Sequence, residues 1–285
     1  MGPAARARGA LTAVRKHALW LLLVCAVVLP ARVGLTPTVA SARVPVPAVA
    51  GATMVWTHDS YQGRPRGYLL HVPVGLSVPA PLVLVLHGLR QDPQRIRDFS
   101  DTDRIADRNG FVVAYPGGAA GSWNAGFCCG DAAAQGVDDL AFLDHVIAGI
   151  RARTLVDPAR IYLEGYSNGG MMALRYACER PTVVAAVAVV AGSVTAGCSP
   201  AAPVAALDLH GGRDTVVPVR GGVSHTLRIA FGPVRDGLSG FAARGGDVEV
   251  EVLPRASHRW MTRAEDGLDA GESLWDWLRD HPRPL

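Results

Sequence analysis

Residues 160–175 read Arg-Ile-Tyr-Leu-Glu-Gly-Tyr-Ser-Asn-Gly-Gly-Met-Met-Ala-Leu-Arg, and they restrict the possible folds more than any other stretch. The apolar run Ile161 to Leu163 reads as a buried strand, whereas Met171, Met172, Leu174 and Ala177 recur at helical spacing. Between them the chain must turn within Gly165-Tyr166-Ser167-Asn168-Gly169. A strand that passes directly into a helix strains the backbone at the apex and lifts that side chain above the sheet edge. Gly165 and Gly169 lack Cβ atoms, so neighbouring segments can close in around the apex. In this strand–turn–helix setting the pattern Gly-x-Ser-x-Gly marks Ser167 as a candidate nucleophile; its plainer role is that of a helix N-cap. The Asn168 N–H falls at the positive end of the helix, where it is placed to help hold an oxyanion.

The rest of the chain supplies the sheet that such a turn needs. Residues 53–57 and 66–72 read as two short strands around the turn-like Tyr61-Gln62-Gly63-Arg64. Residues 81–86 form a continuous apolar run, as expected of a strand buried on both faces, and end at His87-Gly88-Leu89-Arg90. Residues 92–109 have helical spacing and stop at Gly110; residues 111–115 read as another buried strand. A loop of about twenty residues, 116–136, carries Trp123, Asn124, Cys128 and Cys129, and loops of that length in a compact domain usually serve function. Residues 137–153 form an amphipathic helix whose first carboxylates, Asp138 and Asp139, suit a helix N-terminus. Residues 183–190, 204–209 and 248–253 read as further strands, 219–245 as a Gly-rich loop with a short helix, and 268–279 as a terminal helix. Buried strands that alternate with helices imply an α/β class: one mostly parallel central sheet with helices on both faces, in a single domain over 53–285. In such sheets the chemistry sits at the carboxyl ends of the strands.

Composition bounds the partners and the compartment. The net charge is +3 and no long basic run follows the N-terminus, which argues against a nucleic-acid partner. Residues 1–42 read as an export signal: Arg6, Arg8, Arg15 and Lys16 precede an apolar core over 18–30, and Ala40-Ser41-Ala42 offers small residues for cleavage. That core is short for a membrane span, so the mature chain is expected to carry no stable span; an uncleaved anchor, or lipidation at Cys25, is the alternative surface-bound arrangement. Residues 43–52 form a linker stiffened by Pro45 and Pro47. Four cysteines remain after the signal, and in an exported chain they imply two disulfides with three possible connectivities. Adjacent cysteines rarely join, so Cys128 and Cys129 are each expected to reach one of Cys178 and Cys198. Paired C-x-x-C knuckles are lacking, which argues against metal ligation.

Three strand ends carry reactive side chains in the order Ser167, Asp214, His258. Above one sheet edge, His258 would take the proton of Ser167, and Asp214 would fix the tautomer of the imidazole and stabilise its charged form. Asp208 lies inside a strand, His210 at its tip is suited to a local hydrogen bond, and His225 and His281 follow no strand end. The Leu89 N–H, in the loop after the strand at 81–86, is the expected second oxyanion donor beside Asn168. His87, Trp123, Tyr166 and Trp260 are candidate pocket residues; orienting the loop is the simpler task for His87, and core packing accounts equally well for either Trp.

Leu86-His-Gly88, Ser122-Trp-Asn124 with Cys128-Cys129, Gly136-Val-Asp-Asp139, Gly165-Tyr-Ser-Asn-Gly-Gly-Met171, His210-Gly-Gly-Arg-Asp214 and Ser257-His-Arg-Trp260 together resemble the secreted polyhydroxybutyrate-depolymerase-like esterases. Feruloyl and acetylxylan esterases of the same α/β-hydrolase branch are similar. The resemblance covers residues 53–283 or so. It implies an exported carboxylic-ester hydrolase with the triad Ser167, Asp214 and His258 and no metal or organic cofactor. Two departures bear on substrate. The base sits in Ala256-Ser-His-Arg-Trp260 without a following Pro, and the loop after Gly88 reads Leu-Arg-Gln. Arg90 and Arg259 either bring charge to the pocket rim or are solvated. No separate polymer-binding domain is recognisable, which favours short-chain esters or soluble hydroxyalkanoate oligomers; feruloyl or acetylxylan fragments are the alternative. A serine peptidase and a non-catalytic binder on the same scaffold complete the options. The acyl group and the oligomeric state are not readable from the sequence.

Overall fold

The alternation of buried strands and helices closes into one eight-stranded sheet, beside which lies a small two-stranded one. The structure, a computed structural model, describes residues 53–284; the expected signal (1–42) and linker (43–52) lie outside the described residues. In chain order the elements are β1 (Thr53–Tyr61), β2 (Arg64–His71), β3 (Ala80–Leu86), α1 (Pro93–Ser100), α2 (Thr102–Asn109), β4 (Val112–Pro116), α3 (Gly130–Ala134) and α4 (Asp139–Arg151). They continue with β5 (Val156–Tyr166), α5 (Asn168–Glu179), β6 (Ala186–Val190), β7 (Ala205–Gly211), β8 (Gly222–Ser224), β9 (Ile229–Phe231), α6 (Val234–Ala242), β10 (Val248–Leu253), α7 (Arg263–Asp266) and α8 (Ala270–Leu278). The main sheet runs β1-β2-β4-β3-β5-β6-β7-β10, and β8 pairs with β9 in a separate hairpin. β2 lies antiparallel to β1 and β4, and every other neighbouring pair in the main sheet is parallel.

Side chains of successive strand residues point to opposite faces, so a strand covered on both sides is apolar throughout. β3 shows this directly. Leu82, Leu84 and Leu86 join one core with α4, α5 and α6, while Val83 and Val85 join the other with α1, α2 and α8. Among the described residues no helix is long and apolar enough to cross a membrane.

Three expectations change on folding. The single helix expected over 92–109 is two helices, because Asp101 takes a left-handed conformation (φ 54°) and its N–H closes α1 on the Arg97 carbonyl. A short polar side chain tolerates that conformation, and the break lets Ile96 and Ile105 enter the same core. At the start of α4 only Asp138 caps the helix, accepting from the Ala141 N–H. Asp139 instead turns inward to Arg66 at 2.7 Å and accepts the Asn124 N–H at 2.7 Å. The Arg66 guanidinium lies 3.6 Å from the Phe142 ring centroid and donates to the Gly117 carbonyl, so this buried pair anchors the start of the 116–136 loop at Gly117 and its middle at Asn124.

The third change is a correction. Cys178 pairs with Cys198 and Cys128 with Cys129, not across the two pairs as expected. Cys178 lies in the last turn of α5, and the Cα of Cys198 lies 5.7 Å from its own, the ordinary span of a bridge. Backbone hydrogen bonds of Ala125 to Cys128 and of Cys129 to Trp123 keep the adjacent pair inside its own loop.

Candidate active site

The turn between β5 and α5 has the strain that its sequence implied. Ser167 adopts φ 53° and ψ −119°, a region that non-glycine residues occupy at a cost. Its N–H is held by the Val190 carbonyl and its carbonyl by the Met171 N–H, both at 2.9 Å. Both glycines are required by contact: a Cβ on Gly165 would lie 2.6 Å from the Gly169 carbonyl group, and one on Gly169 would lie 2.2 Å from the Leu86 oxygen.

β5, β7 and β10 are parallel members of the sheet, so the segments after them emerge along one edge. Ser167, Asp214 and His258, the three residues expected to converge, meet there. His258 Nε2 lies 2.9 Å from Ser167 Oγ, and His258 Nδ1 lies 2.6 Å from Asp214 Oδ2. Asp214 Oδ1 accepts the N–H groups of Val216 and Val217 at 2.8 and 2.7 Å. Burial would push the Asp214 carboxyl up, but hydrogen bonds from His210, His258 and Val217 outweigh it and hold it well below the usual carboxylate range. A hydroxyl, an imidazole and a buried carboxylate in this order can move a proton off the hydroxyl as it attacks an acyl carbon.

The two expected oxyanion donors belong to the segments after β5 and β3. Asn168 opens α5, where the first N–H groups have no intrahelical acceptor, and the Leu89 N–H takes no acceptor among the described residues. The Asn168 side chain does separate work: its Oδ1 accepts the Trp123 N–H at 2.8 Å and its Nδ2 donates to the Trp123 carbonyl at 3.1 Å. The 116–136 loop is thereby clamped to the turn.

The four candidate pocket residues divide by exposure. His87 is fully buried; its Nε2 accepts the Gly118 N–H and its Nδ1–H donates to the Gly88 carbonyl. Burial pushes this imidazole down to about 4, so it is neutral and acts as a bracket between two loops. Trp123 is fully buried too, and its indole N–H donates to the His87 carbonyl, which makes it core rather than a pocket wall. Trp260 is buried beside Phe99 in the core under α8. Tyr166 is half-buried, its ring 5.3 Å from that of His258, and its hydroxyl donates to the His258 carbonyl at 3.1 Å. Of the two arginines, Arg259 is committed to Asp266 and Glu265, whereas Arg90 is exposed.

Sequence reasoning passed over three features: the clamp made by Asn168, the Arg66–Asp139 anchor, and a buried pair behind Asp214. In that pair Asp208 Oδ1 lies 2.7 Å from His210 Nδ1. The available signal was spacing, since residues two apart on a strand share a face.

Comparison with known proteins bears on the family and the fold. A family model described as Esterase PHB depolymerase matches residues 66–222, which include Ser167 and Asp214; His258 lies beyond the matched segment. The chain is 36% identical over 179 residues to "Putative esterase NocK" of Nocardia uniformis subsp. tsuyamanensis, covering 61% of this chain and 52% of that protein. It is 35% identical over 159 residues to "Feruloyl esterase B" of Piromyces equi, covering 52% of this chain and 29% of that one. The chain thus spans about half or less of these relatives. Among solved structures, a thermostable esterase superposes with TM-score 0.60 at 21% identity, covering 83% of this chain and 64% of that one. An acetyl xylan esterase from Aspergillus awamori gives TM-score 0.56 at 13% identity over 78% of this chain and 99% of that one. These superpositions establish the α/β-hydrolase fold, and the family match, spanning more than half of the sequence, establishes that the chain belongs to the Esterase PHB depolymerase family.

Proposed function

We propose that the protein is an exported serine carboxylesterase acting through Ser167, His258 and Asp214. The observation that carries this reading is the unbroken run of hydrogen bonds from Ser167 Oγ through His258 to Asp214 at the carboxyl edge of the sheet. As Ser167 Oγ bonds to the ester carbon, its proton passes to His258 Nε2. The carbonyl oxygen gains the negative charge and is met by the Leu89 and Asn168 N–H groups. Collapse expels the alcohol, which takes the proton from His258 and leaves an acyl-enzyme. Water, deprotonated by the same imidazole, then releases the acid and restores the serine. Asp214 stays ionised throughout and stabilises the imidazolium.

Short-chain esters and soluble hydroxyalkanoate oligomers are the proposed substrates, with the polyhydroxybutyrate depolymerase family model as support. Likeness to feruloyl esterases favours feruloyl or acetyl esters of plant polysaccharide fragments as the second reading. Export is supported by the pairing of all four cysteines of the described chain into disulfides. The test is hydrolysis of p-nitrophenyl acetate and butyrate, with a fluorophosphonate label on the serine. Ser167→Ala is expected to abolish labelling and lower kcat by at least roughly 10⁴-fold, with the fold retained by circular dichroism. Undiminished turnover in that variant refutes the assignment, and a panel of hydroxybutyrate oligomers, feruloyl esters and acetyl esters separates the two substrate readings.

A further inference from the structure

His210 lies on β7, is fully buried, and has no part in the chemistry just described. Asp208, equally buried, precedes it by two residues on the same strand face. The ring sits between acceptors. Asp208 Oδ1 is 2.7 Å from Nδ1; on the far side, the Val217 carbonyl is 2.8 Å and Asp214 Oδ2 3.4 Å from Nε2. A carbonyl and an ionised carboxylate can only accept, so Nε2 carries a proton, and Nδ1 shares a second with Asp208. Val217 is therefore held at both backbone groups, its N–H by Asp214 and its carbonyl by His210. The same Asp214 Oδ2 that lies near His210 receives the Nδ1–H of His258.

The strands on either side add no charge to this face. In register with Asp208 and His210, β10 presents Val250 and Val252, and Val189 of β6 lies beside Asp208. The charges that bear on the ring are those of Asp208 and Asp214, with His258 beyond.

We propose that His210 is a positioning residue for the reaction: an imidazolium anchored by Asp208 that donates into the Asp214 turn from behind and holds the Asp214 carboxylate aimed at His258. The proposal rests on the reading of Ser167, His258 and Asp214 as the reacting set. Charge supports it. Burial alone would strip the ring of its proton, but the charge and hydrogen bond of Asp208, joined by Asp214 and the Val217 carbonyl, push His210 up to about 10.

Two measurements on the full chain test the proposal. In the first, His210→Leu removes both donors at similar volume, and His210→Gln keeps one amide donor. His210→Leu is expected to lower kcat about 10- to 100-fold, the usual cost of losing a hydrogen bond that orients a reacting group, with KM changed less than about twofold. His210→Gln is expected to recover part of that loss. In the second, protein with ¹⁵N-labelled histidine rings should show both His210 nitrogens protonated at about pH 8, where a free imidazole is neutral. This readout needs no activity and no variant that must fold.

A wild type that hydrolyses esters and takes the fluorophosphonate label, together with a folded His210→Leu of unchanged kcat, overturns the proposal and leaves the reacting set intact. An unprotonated His210 nitrogen at about pH 8 overturns it equally. A wild type without label or turnover removes the reacting set and this proposal with it.

Discussion

Glu164 offers the sharpest quantitative test of the packing. It lies on β5 three residues before Ser167, is fully buried, and neither carboxylate oxygen has a hydrogen-bond partner among the described residues. Its register neighbours are Val85 and Ala188, which offer no charge. Burial pushes the carboxyl up to about 8, against an ordinary value of 4.5. The folded value is the raised one, so this group favours folding most below pH 4.5, and its contribution is lost as pH rises through about 8. At about 1.36 kcal/mol per pH unit, the penalty is under about 1 kcal/mol at pH 5, about 3 kcal/mol at pH 7 and about 5 kcal/mol above pH 8. Glu164→Gln keeps the shape and removes the charge. Urea unfolding of both proteins at a series of pH values should therefore show the variant gaining on the wild type by those amounts as pH rises, with m unchanged. Comparison at each pH cancels every other titrating group. A stability difference that stays flat across this range refutes the claim that the Glu164 carboxyl is buried without a partner.

Two further outcomes probe the anchors of the 116–136 loop and of α5. Arg66→Met strands the buried Asp139 carboxylate and should cost about 3–5 kcal/mol in urea unfolding, part of which Arg66→Met with Asp139→Leu recovers. The double variant Cys178→Ala, Cys198→Ala opens a bridge of sequence separation 20 and should lose about 3 kcal/mol. Non-reducing peptide mapping should join residue 178 to 198, and any fragment linking 128 or 129 to either contradicts the pairing.

The parts of the site that could be read in advance are those where conformation is local. Gly165 and Gly169 announce a turn because neighbouring backbone fills the space of their missing Cβ atoms, and the strained Ser167 follows from that turn. Asp214 and His258 were legible because each follows a strand-like run, and parallel strands deliver their ends to one edge. Trp123 was not. A Trp in a long loop beside a candidate nucleophile is as consistent with a pocket wall as with core, and only the clamp from Asn168 and the His87 carbonyl settles it as core. Arg259 likewise looks like a rim charge until Glu265 and Asp266 fold back onto it.

Period and spacing along the chain determined the α/β class, the turn at Ser167 and the order of the reactive side chains, because hydrophobic alternation and glycine placement act over a few residues. Tertiary structure alone decided the partners. Cys128 bonds to Cys129, Asp139 turns away from its own helix to Arg66, and Asp208, on a strand, finds its partner in the buried His210. Partner choice for a buried thiol or charge depends on which distant groups share its desolvated space, and that is set when the sheet and its two helical layers close.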